Sequence, residues 1–145
     1  MRNIALAILL ALALSAAPAT KTALPKMTVY KTATCGCCAK WVDHMKAAGF
    51  NVTVEIVPNT APYRQQFGMP DKFGSCHTAV AGGYTFEGHI PAADIKKFLK
   101  EKPAALGLAV PGMPLGSPGM ESVRSDAYNT LQIAKSGAST IFEKH

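Results

Sequence analysis

The chain carries little charge, and it has a single long apolar run. Charged residues fill 17% of its 145 positions, against 48% hydrophobic ones. That balance excludes a disordered chain, which needs low hydrophobicity and high net charge. No second long apolar segment follows residue 14, so the mature form is expected to be free of the membrane. The formal net charge is +6. No basic stripe with interleaved aromatics accompanies it, which argues against nucleic-acid binding. The densest basic group is Lys96, Lys97, Lys100 and Lys102, and it reads as the solvated face of a helix. No internal repeat is visible. No histidine follows the Cys-x-x-Cys spacing, because Ala39 stands after Cys38. Covalent haem attachment is thereby excluded.

What is present begins with an export signal. Arg2 precedes an apolar run from Ile4 to Leu14, and Ser15-Ala16-Ala17-Pro18-Ala19 follows. This is the pattern of a cleaved signal peptide over residues 1–19. The run is shorter than the roughly 20 residues that span a bilayer. Cleavage leaves about 125 residues, enough for one domain with one sizeable core. The net charge of +6 falls to about +5 when Arg2 leaves. An exported chain meets an oxidising compartment, where thiols form disulfides unless something else uses them.

From Lys26 onward the pattern is mixed α/β. KMTVYKT (26–32) alternates and reads as a first strand. Thr34 is the expected N-cap of a helix from about Cys37 to Ala48, with Cys38, Trp41, Val42 and Met45 on one face. NVTVEIV (51–57) is a second strand, and APYRQQF (61–67) a short helix. Residues 71–75 read as loop. HTAVA (77–81) and Tyr84 to Glu87 form a hairpin around Gly82-Gly83. PAADIKKFLK (91–100) is a helix with Ile95, Phe98 and Leu99 inward. The order β-α-β-α-β-β-α resembles a thioredoxin-like fold. Pro103 to Met120 reads as an ordered Gly/Pro/Met-rich loop, and the segments 130–135 and 139–143 as a C-terminal β-hairpin.

The chemistry concentrates on Cys35-Gly36-Cys37-Cys38. Three thiols within four residues are a poor staple and a good reactive or metal site. At a helix N-terminus the free N–H groups and the dipole favour thiolates, the form that attacks disulfides and binds metals. In thioredoxin-type folds the loop before the third strand lies beside such a motif and usually carries a proline. Here it reads Ser75-Cys76-His77-Thr78, so Cys76 and His77 are expected to face the motif. His89, in Gly88-His89-Ile90-Pro91, reads equally well as a ligand or a surface histidine. His44 lies about 10.5 Å along the helix from Cys37 and is taken as solvent-facing. His145 is taken as a frayed end. Met27, Met45 and Met69 are assigned to packing. Met113 and Met120 sit on a Gly/Pro scaffold and read as soft sulfur offered at a surface. Thiolate, thioether and imidazole together select Cu(I), whereas zinc has little use for the methionines.

The motifs CGCC, SCHTA, EGHIPA and GMPLGSPGME resemble those of the CopG-type periplasmic copper-resistance proteins, over residues 26–145. The resemblance implies a periplasmic, thioredoxin-like domain that binds copper, with several ions in a thiolate-bridged cluster as one arrangement. It implies Cys35, Cys38 and Cys76 as sulfur ligands, with His77, His89, Met113 and Met120 as candidates. Cys37 could be a ligand or a resolving cysteine. Copper tolerance by cycling Cu(I) and Cu(II) is the implied role, with copper ions and periplasmic copper-handling or electron-transfer proteins as partners. Two competing readings remain: a thiol–disulfide oxidoreductase using Cys35/Cys38, and a module whose four cysteines form structural disulfides only.

Overall fold

The computed structural model describes residues 23–145; the expected signal segment 1–19 lies outside them. Strand β1 is Met27–Lys31, α1 Gly36–Ala47, β2 Val52–Ile56, α2 Ala61–Gln66, β3 His77–Ala81, β4 Tyr84–Gly88 and α3 Ala92–Glu101. Three further strands follow: β5 Gly107–Val110, β6 Asn129–Ile133 and β7 Ser139–Lys144. They form one seven-stranded sheet in the order β2-β1-β3-β4-β5-β6-β7. The mixed α/β class and the element order from β1 to α3 are as expected.

The two parallel pairings follow from the helices. A parallel neighbour needs a crossover, and α1 supplies it between β1 and β2, as α3 does between β4 and β5. The antiparallel pairs β1/β3 and β3/β4 place β3 between β1 and β4. On one face α1 and α3 bury Trp41, Met45, Ile95 and Phe98 against Val29, Ala79, Phe86 and Leu108. On the other, Met69 and Phe73 cover Ala109 and Ile133. Leu108 and Ala109 are neighbours on opposite faces, as a strand's two-residue period requires. Met27, Met45 and Met69 are all buried.

Several expectations need correction. The N-cap of α1 is Cys35, whose Sγ accepts from the Cys38 N–H at 3.3 Å; it is not Thr34. The motif therefore caps its own helix. Residues 71–73 form a short 3₁₀ turn inside the segment read as loop. Strand β5 lies inside the stretch read as Gly/Pro/Met-rich loop, and all four of its residues are buried. Four apolar residues between Gly/Pro clusters show no alternation when both faces are covered, so the strand looked like punctuation. The hairpin β6/β7 is present, but its end is not frayed. His145 Nε2 meets Asp94 Oδ2 at 2.9 Å, and its ring stacks on Tyr128.

Candidate metal centre

Register alone brings the site together. β1 and β3 pair with Lys31 opposite His77, so the cysteine turn after β1 lies beside the start of β3. β3 and β4 pair with Thr78 opposite Glu87. Just beyond that last pair, Cys76 before β3 and His89 after β4 meet through their side chains.

Cys35 and Cys38 are joined as a disulfide, while Cys37 and Cys76 are free thiols. Cys37 Sγ lies 3.5 Å from Cys35 Sγ and 4.0 Å from Cys76 Sγ. Cys76 Sγ lies 3.0 Å from His89 Nε2 and 3.6 Å from His77 Nδ1. Two donor groups result, Cys35/Cys37/Cys38/Cys76 and Cys76/His77/His89, each with its ligand atoms within 4.8 Å of one another. Cys76 belongs to both.

The two imidazoles are held differently. His89 Nδ1 is 2.8 Å from the Pro118 carbonyl oxygen. A carbonyl only accepts, so Nδ1 carries the proton and Nε2 turns its lone pair toward Cys76. This outer bond sets the tautomer, as it does for most metal-binding histidines. Burial, above all, holds His89 below the ordinary imidazole pKa. His77 is fully buried and packs on Trp41, with ring centroids 4.3 Å apart. Its Nε2 has no hydrogen-bond partner among the described residues. Burial first, then His89 and Lys31, push its pKa down to about 3. Burial, then the neighbouring Cys37, pushes the Cys76 thiol up to about 12. At neutral pH the free pocket therefore holds a neutral thiol and neutral imidazoles.

A family model described as a protein of unknown function, DUF411, matches residues 73–120. That segment carries Cys76, His77, His89, Met113 and Met120. No curated protein matches the chain. Among solved structures, the chain is similar to a copper resistance protein copG in two forms. Form 1 is 42% identical with a TM-score of 0.78, covering 83% of this chain and 98% of that one. Form 2 is also 42% identical with a TM-score of 0.80, covering 86% and 99%. The chain belongs to the CopG-type copper-resistance family.

In this member of the CopG-type family the loop from 111 to 121 is ordered, as expected, and is fastened beside the sulfurs. Ser75 Oγ donates to the Gly112 carbonyl, and Gly116 N–H to the Met120 carbonyl at 2.8 Å. Met113 is 52% exposed and Met120 partly buried. His44 is not solvent-facing: its Nε2 accepts from the Ala92 N–H at 3.1 Å and caps α3. Sequence reasoning missed Pro118, which orients His89 through a main-chain carbonyl that no residue type announces. It also missed Trp41 as the wall of the His77 pocket, since at helical spacing Trp41 looked like ordinary core.

Gly119 is where this loop meets the site. Its φ is +87°, and a Cβ there would stand 2.5 Å from the Cys37 carbonyl oxygen and 3.3 Å from His89 Nδ1. Gly119→Ala should cost about 2–4 kcal/mol, from left-handed strain plus overpacking. Urea denaturation of the apo protein measures it; a loss below about 0.5 kcal/mol, the range of neutral surface changes, would refute the close approach.

Proposed function

We propose that the reduced protein binds Cu(I) through the thiolates of Cys35, Cys37, Cys38 and Cys76, with His89 and His77 as nitrogen donors. One observation carries this reading: His89 Nε2, with its tautomer set by Pro118, points its lone pair at Cys76 Sγ from 3.0 Å. His77 faces the same sulfur through Nδ1, at 3.6 Å, so that nitrogen is the second imidazole donor in reach of an ion held by Cys76. Thiolate with imidazole is a donor set that suits Cu(I). Five side chains around the shared Cys76 sulfur offer room for more than one ion bridged by thiolate. Met113 and Met120 lie on the rim loop and would offer soft thioether sulfur to an incoming or departing ion.

The similar copG proteins are named for copper resistance, and we extend that role to this chain. The leader-like segment 1–19 supports a periplasmic location. The strand order β2-β1-β3-β4 with crossover α1 supports a thioredoxin-like scaffold. Copper cycling between Cu(I) and Cu(II) would pass one electron to a partner protein at the open cysteine turn.

Loading requires reduction first, since the Cys35–Cys38 disulfide holds two of the four sulfurs out of the thiolate state. Anaerobic titration of reduced protein with Cu(I), against a chromophoric chelator, tests the proposal. Affinity should fall at least about tenfold in Cys35→Ser/Cys38→Ser, the low end for losing even an outer-shell partner. Equal affinity in the two proteins would overturn it.

A second reading, thiol–disulfide exchange, draws on the Cys37 thiol lying 3.5 Å from Cys35 Sγ of the bridge. Metal-independent turnover in an insulin-reduction assay, abolished in Cys35→Ser, would favour it.

A further inference from the structure

We propose that an ion pair outside the donor set, Arg64 with the buried Glu87, is the positioning device that holds Cys76 at His89. The inference rests on the copper-binding reading above.

Glu87 lies on β4, two residues before His89, and its side chain is fully buried. Its Oε1 accepts from the Arg64 Nε at 3.0 Å and from the Ser75 N–H at 2.8 Å. Its Oε2 accepts from the Thr78 hydroxyl at 2.6 Å. Arg64, on α2, donates onward from Nη1 to Asp71 and from Nη2 to the Ser75 carbonyl at 3.4 Å. The pair thus grips both the N–H and the C=O of Ser75, the residue that leads into Cys76. It also grips Thr78, two residues past Cys76. Space is closed on both sides. A Cβ on Gly74 would fall 2.9 Å from the Arg64 guanidinium, and one on Gly88 would fall 2.7 Å from the Ser75 Cβ. The segment 74–76 has one place to lie.

Stability alone is a weak reason for this arrangement. Taking Glu87 fully and Arg64 largely out of water offsets much of their attraction, and such a pair is commonly no better than two apolar residues of the same volume. What apolar residues cannot do is hold a particular peptide unit by its N–H and C=O. Without that hold the segment keeps β3 and the Ser75 Oγ bond to Gly112, but the Ser75 peptide unit can turn, and the Cys76 sulfur can leave the 3.0 Å contact with His89. Arg64 and Glu87 touch neither the cysteine sulfurs nor the imidazoles in the hydrogen-bond network, so they act through Ser75.

The test uses two variants. Arg64→Leu/Glu87→Leu removes both charges together and leaves no unpaired buried ion, since Asp71, which also loses Arg64, is exposed; the fold is expected to survive, and thermal unfolding and far-UV circular dichroism check this. Glu87→Gln keeps an oxygen for Ser75 and Arg64, and the Thr78 hydroxyl can turn to accept from its amide. Two readouts are taken on reduced protein: Cu(I) affinity by chelator competition, and the alkylation rate of Cys76 in the metal-free state, mapped by mass spectrometry. In the folded double variant, affinity should fall about tenfold and Cys76 alkylation rise about fivefold, by analogy with other outer-shell losses. Glu87→Gln should stay within about threefold of wild type on both, the gentler change of the two. Wild-type values of both in the folded double variant would overturn the inference. So would equal damage in Glu87→Gln. If wild type binds no Cu(I) above the Cys35→Ser/Cys38→Ser level, the copper reading fails by itself. The alkylation ratio then still decides whether the pair positions Cys76. Should the double variant not fold, the single Arg64→Lys, which keeps a cation for Glu87 but lacks the guanidinium fork that reaches the Ser75 carbonyl, replaces it with the same expected directions and the same overturning result.

Discussion

Cys76→Ser should lower Cu(I) affinity by about 100-fold or more, the largest loss of any single cysteine. Disturbing an outer-shell partner of a metal ligand already costs roughly 10–100-fold, and removing the ligand should cost at least the upper figure. Cys76 is singled out because it alone is a member of both donor groups. Its loss leaves Cys35, Cys37 and Cys38 without an across-pocket partner, and His77 and His89 without sulfur. Serine nearly conserves the volume, and its hydroxyl can still donate to His89 Nε2. Apo stability should therefore stay within about 1 kcal/mol, the worth of a typical hydrogen bond. Chelator competition and urea denaturation, run on the same preparations, check both halves. A Cys37→Ser protein that loses more affinity than Cys76→Ser would show that the shared-sulfur assignment is wrong.

Acid should destabilise the reduced apo protein through His77, by about 5 kcal/mol in total. The folded pKa of His77, about 3, lies below the ordinary value of 6.5. The contribution is therefore fully present above pH 6.5. It is lost as pH falls, because the unfolded chain takes up a proton that the folded chain refuses. The loss runs at about 1.4 kcal/mol per pH unit and ends near pH 3. Full burial leaves no solvent screening to reduce it. His44 and His89 are also held low by burial, chiefly, and add losses in the same direction. Glu87 works the other way: burial raises its pKa, so protonation favours the folded form as pH drops through that raised value. The difference between wild type and His77→Phe isolates the one histidine. Phenylalanine keeps the stack on Trp41 and removes the orphaned Nε2. Urea midpoints measured from pH 8 to pH 4 should fall steeply in wild type and less steeply in the variant. Parallel curves would show that His77 takes up a proton without penalty.

Much of this molecule could be read along the chain. Strands with one wet face, such as β1, alternate visibly, and α1 shows its apolar stripe through Trp41, Val42 and Met45. The clustered thiols and the Cys76-His77 pair stood out because such residue types seldom crowd together without a chemical use. Strand β5 escaped notice because burial on both faces erases alternation. His44 and His145 looked solvent-facing and frayed because nothing local reveals a partner about fifty residues away. For His44 that partner is the Ala92 N–H, and for His145 it is Asp94.

Residue order by itself determined the strand-and-helix sequence from β1 to α3, the sulfur-rich turn and the family resemblance, since all three depend on near neighbours. Only the tertiary structure decided which sulfur is shared, which imidazole nitrogen is free to bind, and what holds Cys76 in place. Those depend on β-sheet register and on main-chain carbonyls and amides, Pro118 and Ser75 above all. Backbone groups are the same in every residue, so their role is set by where the fold delivers them.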